Sequence, residues 1–207
     1  MKVYLVRHGE SVGNKANIHQ TSEMPLSETG VAQAKRIAKR LKKFKIDYIL
    51  ASPVIRARQT AEIISASLNI PIEEWEELAE VKGPTELRGK SYADPGVSEI
   101  KKLIRENYVK GNWKYSDEEN YEEINLRAGK LLNHLVKDHF NDDMVCVSHA
   151  TYIKFLVAKM LFGDNLKPEI SHIFYHHILM QNTGLTVCEY DKESGWLVRH
   201  LNDASHL

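Results

Sequence analysis

Three short apolar runs, at residues 3–6, 47–52 and 143–148, constrain this chain most. Each is too short for a helix and reads as a strand. Residues 3–6 (Val-Tyr-Leu-Val) and the Met144-Val-Cys-Val147 run are apolar without alternation, which marks strands covered on both faces. Helical patterns lie between them. Ser27 is placed to cap a helix whose apolar stripe is Val31, Ala34, Ile37, Ala38, Leu41 and Phe44. Further helices are expected at about 54–68 and 150–161. A capping box at Ser116-Asp-Glu-Glu119 predicts a long helix reaching Phe140. Strands separated by helices predict an α/β fold: a three-layer α/β/α sandwich around a mostly parallel sheet. Residues 70–78 read as extended. Residues 79–97 carry Gly83, Pro84, Gly89, Pro95 and Gly96 and read as loop. Residues 184–190 and 196–201, joined by a turn at 191–195, read as a closing hairpin.

The strand ends carry the chemistry. The first apolar run breaks off into Arg7-His8-Gly9, and Gly9 is expected to allow a turn that a Cβ would obstruct. The second is followed by a helix start holding Arg56, where free backbone N–H groups suit an anion. The third ends in Ser148-His149. The extended segment brings Glu80 into a Gly/Pro loop. Parallel strands would bring Arg7, His8, Arg56 and His149 to one sheet edge, where such folds place ligands. An imidazole can attack phosphorus and carry the phosphoryl group covalently, and arginines can grip phosphate oxygens as a fork. A glutamate can then serve as general acid and base.

Arg7-His8-Gly9-Glu10-Ser11-x-x-Asn14 resembles the signature of the histidine phosphatase superfamily, the phosphoglycerate mutase-like proteins. Pro25-Leu26-Ser27-x-x-Gly30, Ser52-Pro53-x-x-Arg56-Ala57-x-x-Thr60-Ala61, Leu78-x-Glu80, Ser148-His149-Ala150 and Asn182-Thr-Gly184 follow in that family's order and span essentially the whole chain. The resemblance implies a phosphoglycerate mutase-like fold and a phosphomonoester phosphatase. In it His8 is the nucleophile that becomes a phosphohistidine, and Arg7, Arg56 and His149 complete the phosphate pocket. Asn14 contacts the phosphoryl group, Gln20 and Thr21 belong to the substrate loop, and Glu80 is the general acid. The family's usual glycine after Gln20 is Thr21 here, and an Asp common before Met24 is Glu23. Neither metal nor organic cofactor is called for, because the arginines neutralise the phosphate. The partner expected is a small-molecule phosphate ester.

Composition narrows the rest. The 207 residues fit one domain, expected to span 1–207. A net charge of zero offers no global field toward nucleic acid or a membrane. No apolar run approaches the ~20 residues of a spanning helix, and a cytoplasmic location is expected. Cys146 and Cys188 sit in apolar runs and read as small buried hydrophobes. His172, His176 and His177 read as surface or packing residues rather than metal ligands. Segment 82–115 holds eight Lys/Arg against four Asp/Glu and reads as either a lid over the substrate or a solvated helix face. Glu74, Glu76, Glu77 and Glu86 crowd the same region, with Glu77 and Glu86 the next candidates for the role of Glu80. Two other functions stay open: a cofactor-dependent phosphoglycerate mutase, and a catalytically silent phosphate-binding module. Against the mutase, the family's longer insertion with Arg-Tyr-Gly after the acid is missing.

Overall fold

The structure is a computed structural model describing residues 1–207. Six strands form one sheet: β1 (Lys2–Arg7), β2 (Tyr48–Ala51), β3 (Ile72–Glu74), β4 (Asp143–Ser148), β5 (Leu185–Asp191) and β6 (Gly195–Asp203), in the order β3-β2-β4-β1-β5-β6. The first four in that order are parallel, β5 runs antiparallel to β1, and β6 runs antiparallel to β5. Seven helices surround it: α1 (Val12–Lys15), α2 (Glu28–Leu41), α3 (Ile55–Leu68), α4 (Pro95–Asn107), α5 (Tyr121–Asp138), α6 (Ala150–Phe162) and α7 (Pro168–His177).

Side chains alternate across β1, and both of its faces are covered. Val3 and Leu5 join Met144, Cys146 and Cys188 beneath α5 and α6, where Leu131, Leu135, Ile153 and Leu156 complete one core. Tyr4 and Val6 join Ile49, Val145 and Val147 beneath α2 and α3, where Ile37, Leu41, Ala61 and Ile64 complete the other. This is the three-layer sandwich. Both cysteines are buried and unpaired.

Register brings the strand ends level. Arg7 pairs with Ser148, and both Val6 and Ala51 pair with Val147. His8 N–H then donates to Ser148 O at 3.0 Å, and Ser52 N–H to Val147 O at 3.0 Å. The antiparallel β5 adds its own preceding turn to this edge: Thr183 N–H donates to Arg7 O at 3.0 Å, from a left-handed residue with φ of 57°.

Several sequence expectations change. The long helix starts at Asn120, not in the 116–119 box. Asn120 and Glu123 cap one another's N–H groups, while Glu119 is taken by Arg127 and Ser116 Oγ donates to Glu86. Tertiary partners outcompeted the upstream pattern. The 70–78 stretch keeps only the three residues of β3, followed by a 3-10 turn at Glu76–Leu78. The 79–97 loop holds a 3-10 turn at Thr85–Leu87 and ends at Asp94, whose side chain caps α4. α2 ends at Leu41, short of Phe44, and α7 was not expected at all.

A Cβ at Gly9 would obstruct the turn as expected, through a neighbouring backbone and not through φ. Gly9 is not among the residues with positive φ. It is a glycine because a Cβ there would sit 2.5 Å from Gly30 O, and a Cβ on Gly30 would sit 1.9 Å from Glu10 O. The strand-end loop and the first turn of α2 thus touch backbone to backbone. Ser27 N–H donating to Glu10 O (2.8 Å) and Gly9 N–H donating to Thr60 Oγ1 (3.0 Å) fix this contact. Gly30→Ala should therefore displace the loop that carries His8. A cost of about 1–3 kcal/mol is expected for such overpacking, visible as a Tm several degrees lower together with reduced phosphate-ester turnover. Unchanged Tm and turnover would mean that the loop yields freely.

Candidate functional site

β1 delivers Arg7 and His8, β4 delivers His149, and the first turn of α3 delivers Arg56. His8 and His149 are 2% and 0% exposed and Arg56 is 4% exposed. The two imidazole centres lie 5.2 Å apart. These four residues are one cluster, as the parallel arrangement predicts.

The hydrogen bonds define the chemical state of His8. Gly9 O can only accept, so the 2.7 Å contact to His8 Nδ1 places a proton on Nδ1. Nε2 then carries the lone pair, and it accepts from Arg56 Nε–H at 3.2 Å. Burial, then the charges of Arg56 and Arg7, push the His8 pKa well below the ordinary histidine range. His149 is held neutral in the same way, by burial first and then by His8 and the two arginines. Its Nε2 meets Ser52 Oγ at 2.8 Å, and its Nδ1 is buried with no partner.

The guanidiniums rest on carbonyls rather than carboxylates. Arg7 Nη1 donates to Met180 O and Arg56 Nη1 to Thr21 O at 2.9 Å, while Arg7 Nε is buried without a partner. The arginines that form ion pairs are Arg40, Arg58, Arg127 and Arg199, so half-buried Arg7 and buried Arg56 are cations with no carboxylate in direct contact. Two such cations, orphaned donors and a neutral imidazole lone pair suit an anion with several oxygens and an electrophilic centre.

Glu80 lies on the first turn of α6. Its carboxylate accepts from Tyr152 N–H at 3.1 Å, Thr151 N–H at 3.5 Å and its neighbour Val81 N–H at 2.9 Å. Burial raises its pKa; those N–H groups and Arg56 oppose the rise. Its charge is felt by both Arg7 and Arg56. Among its rivals, Glu86 accepts from Ser116 Oγ, and Glu76 and Glu77 lie in an open groove of charged residues with Lys82, Asp117 and Arg127.

The remaining sequence candidates divide. Asn14 is beside the cluster: its Oδ1 accepts from Ser11 N–H and from Asn182 Nδ2, and Asn182 Nδ2 also donates to His8 O. Gln20 accepts from Ser11 Oγ. Thr21 takes part through its backbone carbonyl, not its side chain. Sequence reasoning missed Arg127, which reaches from α5 to donate to Glu77 O (2.9 Å) and Ala79 O (2.8 Å), just before Glu80, and lies 4.0 Å over the Tyr152 ring. No local pattern marks it. It also missed Tyr92, Tyr175 and Lys154, all within the field of Glu80. His172, His176 and His177 lie on α7 and join no group of side chains able to hold a metal.

An α/β sandwich with paired histidines and arginines at its parallel strand ends defines a class of phosphate-handling proteins. The chain belongs to the histidine phosphatase superfamily, branch 1, which it matches over residues 3–204. It is 30% identical over 212 residues, 99% of this chain and 96% of the relative, to a Bacillus subtilis protein named "Uncharacterized phosphatase PhoE". It is also 30% identical over 213 residues, 100% of this chain and 95% of the relative, to the "Probable phosphoglycerate mutase GpmB" of Photorhabdus laumondii. Among solved structures, Bacillus stearothermophilus YhfR superposes with a TM-score of 0.83 at 26% identity, covering 99% of this chain and 98% of that one. A mutant phosphoserine phosphatase from Entamoeba histolytica, in complex with phosphoserine, superposes with a TM-score of 0.81 at 25% identity, covering 100% and 98%. The fold is therefore phosphoglycerate mutase-like, and the relatives carry both phosphatase and phosphoglycerate mutase names. No helix is long and apolar enough to cross a membrane.

The depressed histidine pKa values carry a stability consequence. Above about pH 6.5, the unfolded value, both states hold these imidazoles neutral. As pH falls below it, the unfolded chain takes up protons that the folded protein refuses, so stability is lost. One pH unit below costs about 1.4 kcal/mol for each histidine. Urea unfolding without phosphate should show wild-type protein losing stability between pH 7.5 and 5.5. A His8→Asn/His149→Asn variant, which keeps Glu80, should lose about 2–3 kcal/mol less over that range. Equal losses would show that the buried histidines charge freely in the folded state.

Proposed function

We propose that the protein is a phosphomonoester phosphatase that acts on a small phosphorylated metabolite through a phosphohistidine, without a metal. The observation that carries this reading is the tautomer of His8: Nδ1 is fixed by Gly9 O, and the Nε2 lone pair is held against Arg56. Nε2 attacks phosphorus as the ester P–O bond breaks in line. Arg7, Arg56 and His149 bind the equatorial oxygens, replacing the contact that Arg56 makes to Nε2 in the free site. The unpaired His149 Nδ1 is the donor available for one of them. Asn14, whose carbonyl oxygen is already occupied, turns its amide hydrogens to the same oxygens. Gln20 and Thr21 serve by holding Ser11 and Arg56.

Glu80 gives its proton to the departing alkoxide, which leaves as the alcohol. It then takes a proton from the water that attacks the phosphohistidine, releasing phosphate and restoring neutral His8. Its raised pKa favours the protonated form needed for the first step. The two guanidiniums supply the positive charge that a metal would otherwise bring. The domain is taken as one unit over 1–207, with 82–115 covering the site.

Wild-type enzyme should turn over p-nitrophenyl phosphate in chelator with no added metal. His8→Ala should lose this by orders of magnitude while still folding, and quenched wild-type protein should hold an acid-labile, base-stable phosphoryl group. A folded His8→Ala enzyme with near wild-type kcat would overturn the covalent mechanism. Absence of any turnover by wild-type protein would favour a silent binding module instead.

Glu80→Gln should reduce alkyl phosphate hydrolysis by roughly 10²–10⁴-fold, the usual worth of general acid catalysis. Aryl esters should suffer less in the first step, since p-nitrophenolate leaves without a proton. A burst of p-nitrophenol followed by slow turnover is expected, because water attack also needs Glu80. Equal losses on both esters with no burst would move the acid elsewhere. Interconversion of 2- and 3-phosphoglycerate by wild-type enzyme, faster than phosphate release, would establish the mutase reading.

A further inference from the structure

The mouth of the site holds a cation that the phosphatase chemistry does not use. Lys154 lies on α6, two and three residues beyond Tyr152 and Thr151, whose N–H groups hold Glu80. Helical side chains lean toward the helix N-terminus, so its ammonium is carried back toward Glu80. It donates to Tyr175 O at 2.8 Å and lies 5.2 Å from the centre of the Tyr175 ring. The lysines that form ion pairs are Lys45, Lys82, Lys102, Lys114 and Lys159, so Lys154 is a partly buried ammonium with no carboxylate against it. Burial and the charge of Arg7 lower its pKa, and Glu80 raises it, as expected for a group facing both. Tyr92, from the 82–115 segment, meets the fields of Glu80, Arg7 and Arg56. Tyr175, whose ring the ammonium faces, meets those of Glu80 and Tyr92.

The charges do not balance for a neutral alcohol. A phosphoryl dianion is answered by the two guanidiniums of Arg7 and Arg56. With Glu80 protonated as the acid, Lys154 is then a third cation, partly desolvated and met by a carbonyl and a ring but by no anion in contact, a cost that a further anion would offset. One ammonium suits one negative charge, whereas the dianion in the inner pocket is met by two cations. We propose that Lys154 binds a carboxylate on the organic half of the substrate, so that the preferred substrates are small phosphomonoesters carrying a carboxylate near the ester. This rests on the phosphatase reading and adds the substrate class to it.

The test compares 3-phosphoglycerate with glycerol 3-phosphate, which share a three-carbon skeleton and differ by a carboxylate against a hydroxymethyl group. Wild-type enzyme should favour the carboxylate by kcat/KM. A charged hydrogen bond of the usual strength makes the preference roughly tenfold to a hundredfold. Lys154→Met should remove most of it, chiefly through a higher KM for 3-phosphoglycerate, and Lys154→Arg should retain most of it. Lys154→Gln repeats the comparison should the Met variant fold poorly, and the wild-type preference is read without any variant. Wild-type enzyme with no preference, or equal losses on both esters in Lys154→Met, would overturn the proposal and leave Lys154 as a strut on the end of α7. Turnover of p-nitrophenyl phosphate separates the two levels: its absence removes the phosphatase reading, and its presence without a carboxylate preference removes only this one.

Discussion

Two imidazoles and two guanidiniums, all buried but the half-buried Arg7, gather at the ends of β1, α3 and β4 with no carboxylate in direct contact, and the rest of the structure works to hold them there. Buried cations without a counter-ion are unfavourable. The protein moderates this with dipoles instead of charge: Met180 O and Thr21 O take the guanidiniums, and Gly9 O and Ser52 Oγ take the imidazoles. Each partner is neutral, so the site keeps its net positive character. The histidines respond by staying uncharged. The site is thus prepared for an anion before the anion arrives, and binding one repays part of the folding cost.

That preparation depends on backbone contacts that leave no slack. Parallel register between β1 and β4 sets His8 beside Ser148 and His149. Gly9 and Gly30 let the strand-end loop touch α2. Thr60 joins that loop to α3 by accepting from Gly9 N–H and donating to Arg56 O at 2.8 Å, so the residue after His8 and the arginine are tied through one side chain. The turn before β5 completes the frame, with Asn182 holding both His8 O and Asn14.

Glu80 stands apart from this cluster in origin and in environment. It comes from an irregular segment, and its place is set by two elements distant in sequence. Arg127 fastens the carbonyls of Glu77 and Ala79 just before it, and the first turn of α6 offers it N–H groups that His149, the cap residue, leaves free. Arg127 also stacks on Tyr152, whose N–H holds Glu80, so the support of the carboxylate is a closed loop of contacts. The same turn of α6 leads on to Lys154, which places the acid and the outer ammonium on one helix end.

The sequence by itself determined the sandwich and the inner pocket. Apolar runs of strand length and amphipathic helices are local signals, and Arg7, His8, Arg56 and His149 lie at the ends of such runs, where a parallel sheet must bring them level. The start of α5 was misread because two capping patterns lie four residues apart, and the choice between them was made by Arg127 and Glu86, which take Glu119 and Ser116. Tertiary structure alone decided the reason for Gly9, the backbone role of Thr21, and the gathering of Arg127, Tyr92, Tyr175 and Lys154 around Glu80. Those depend on which elements pack side by side from distant parts of the chain, and hydrophobic periodicity records which face of a helix is buried, not which neighbour lies against its polar edge.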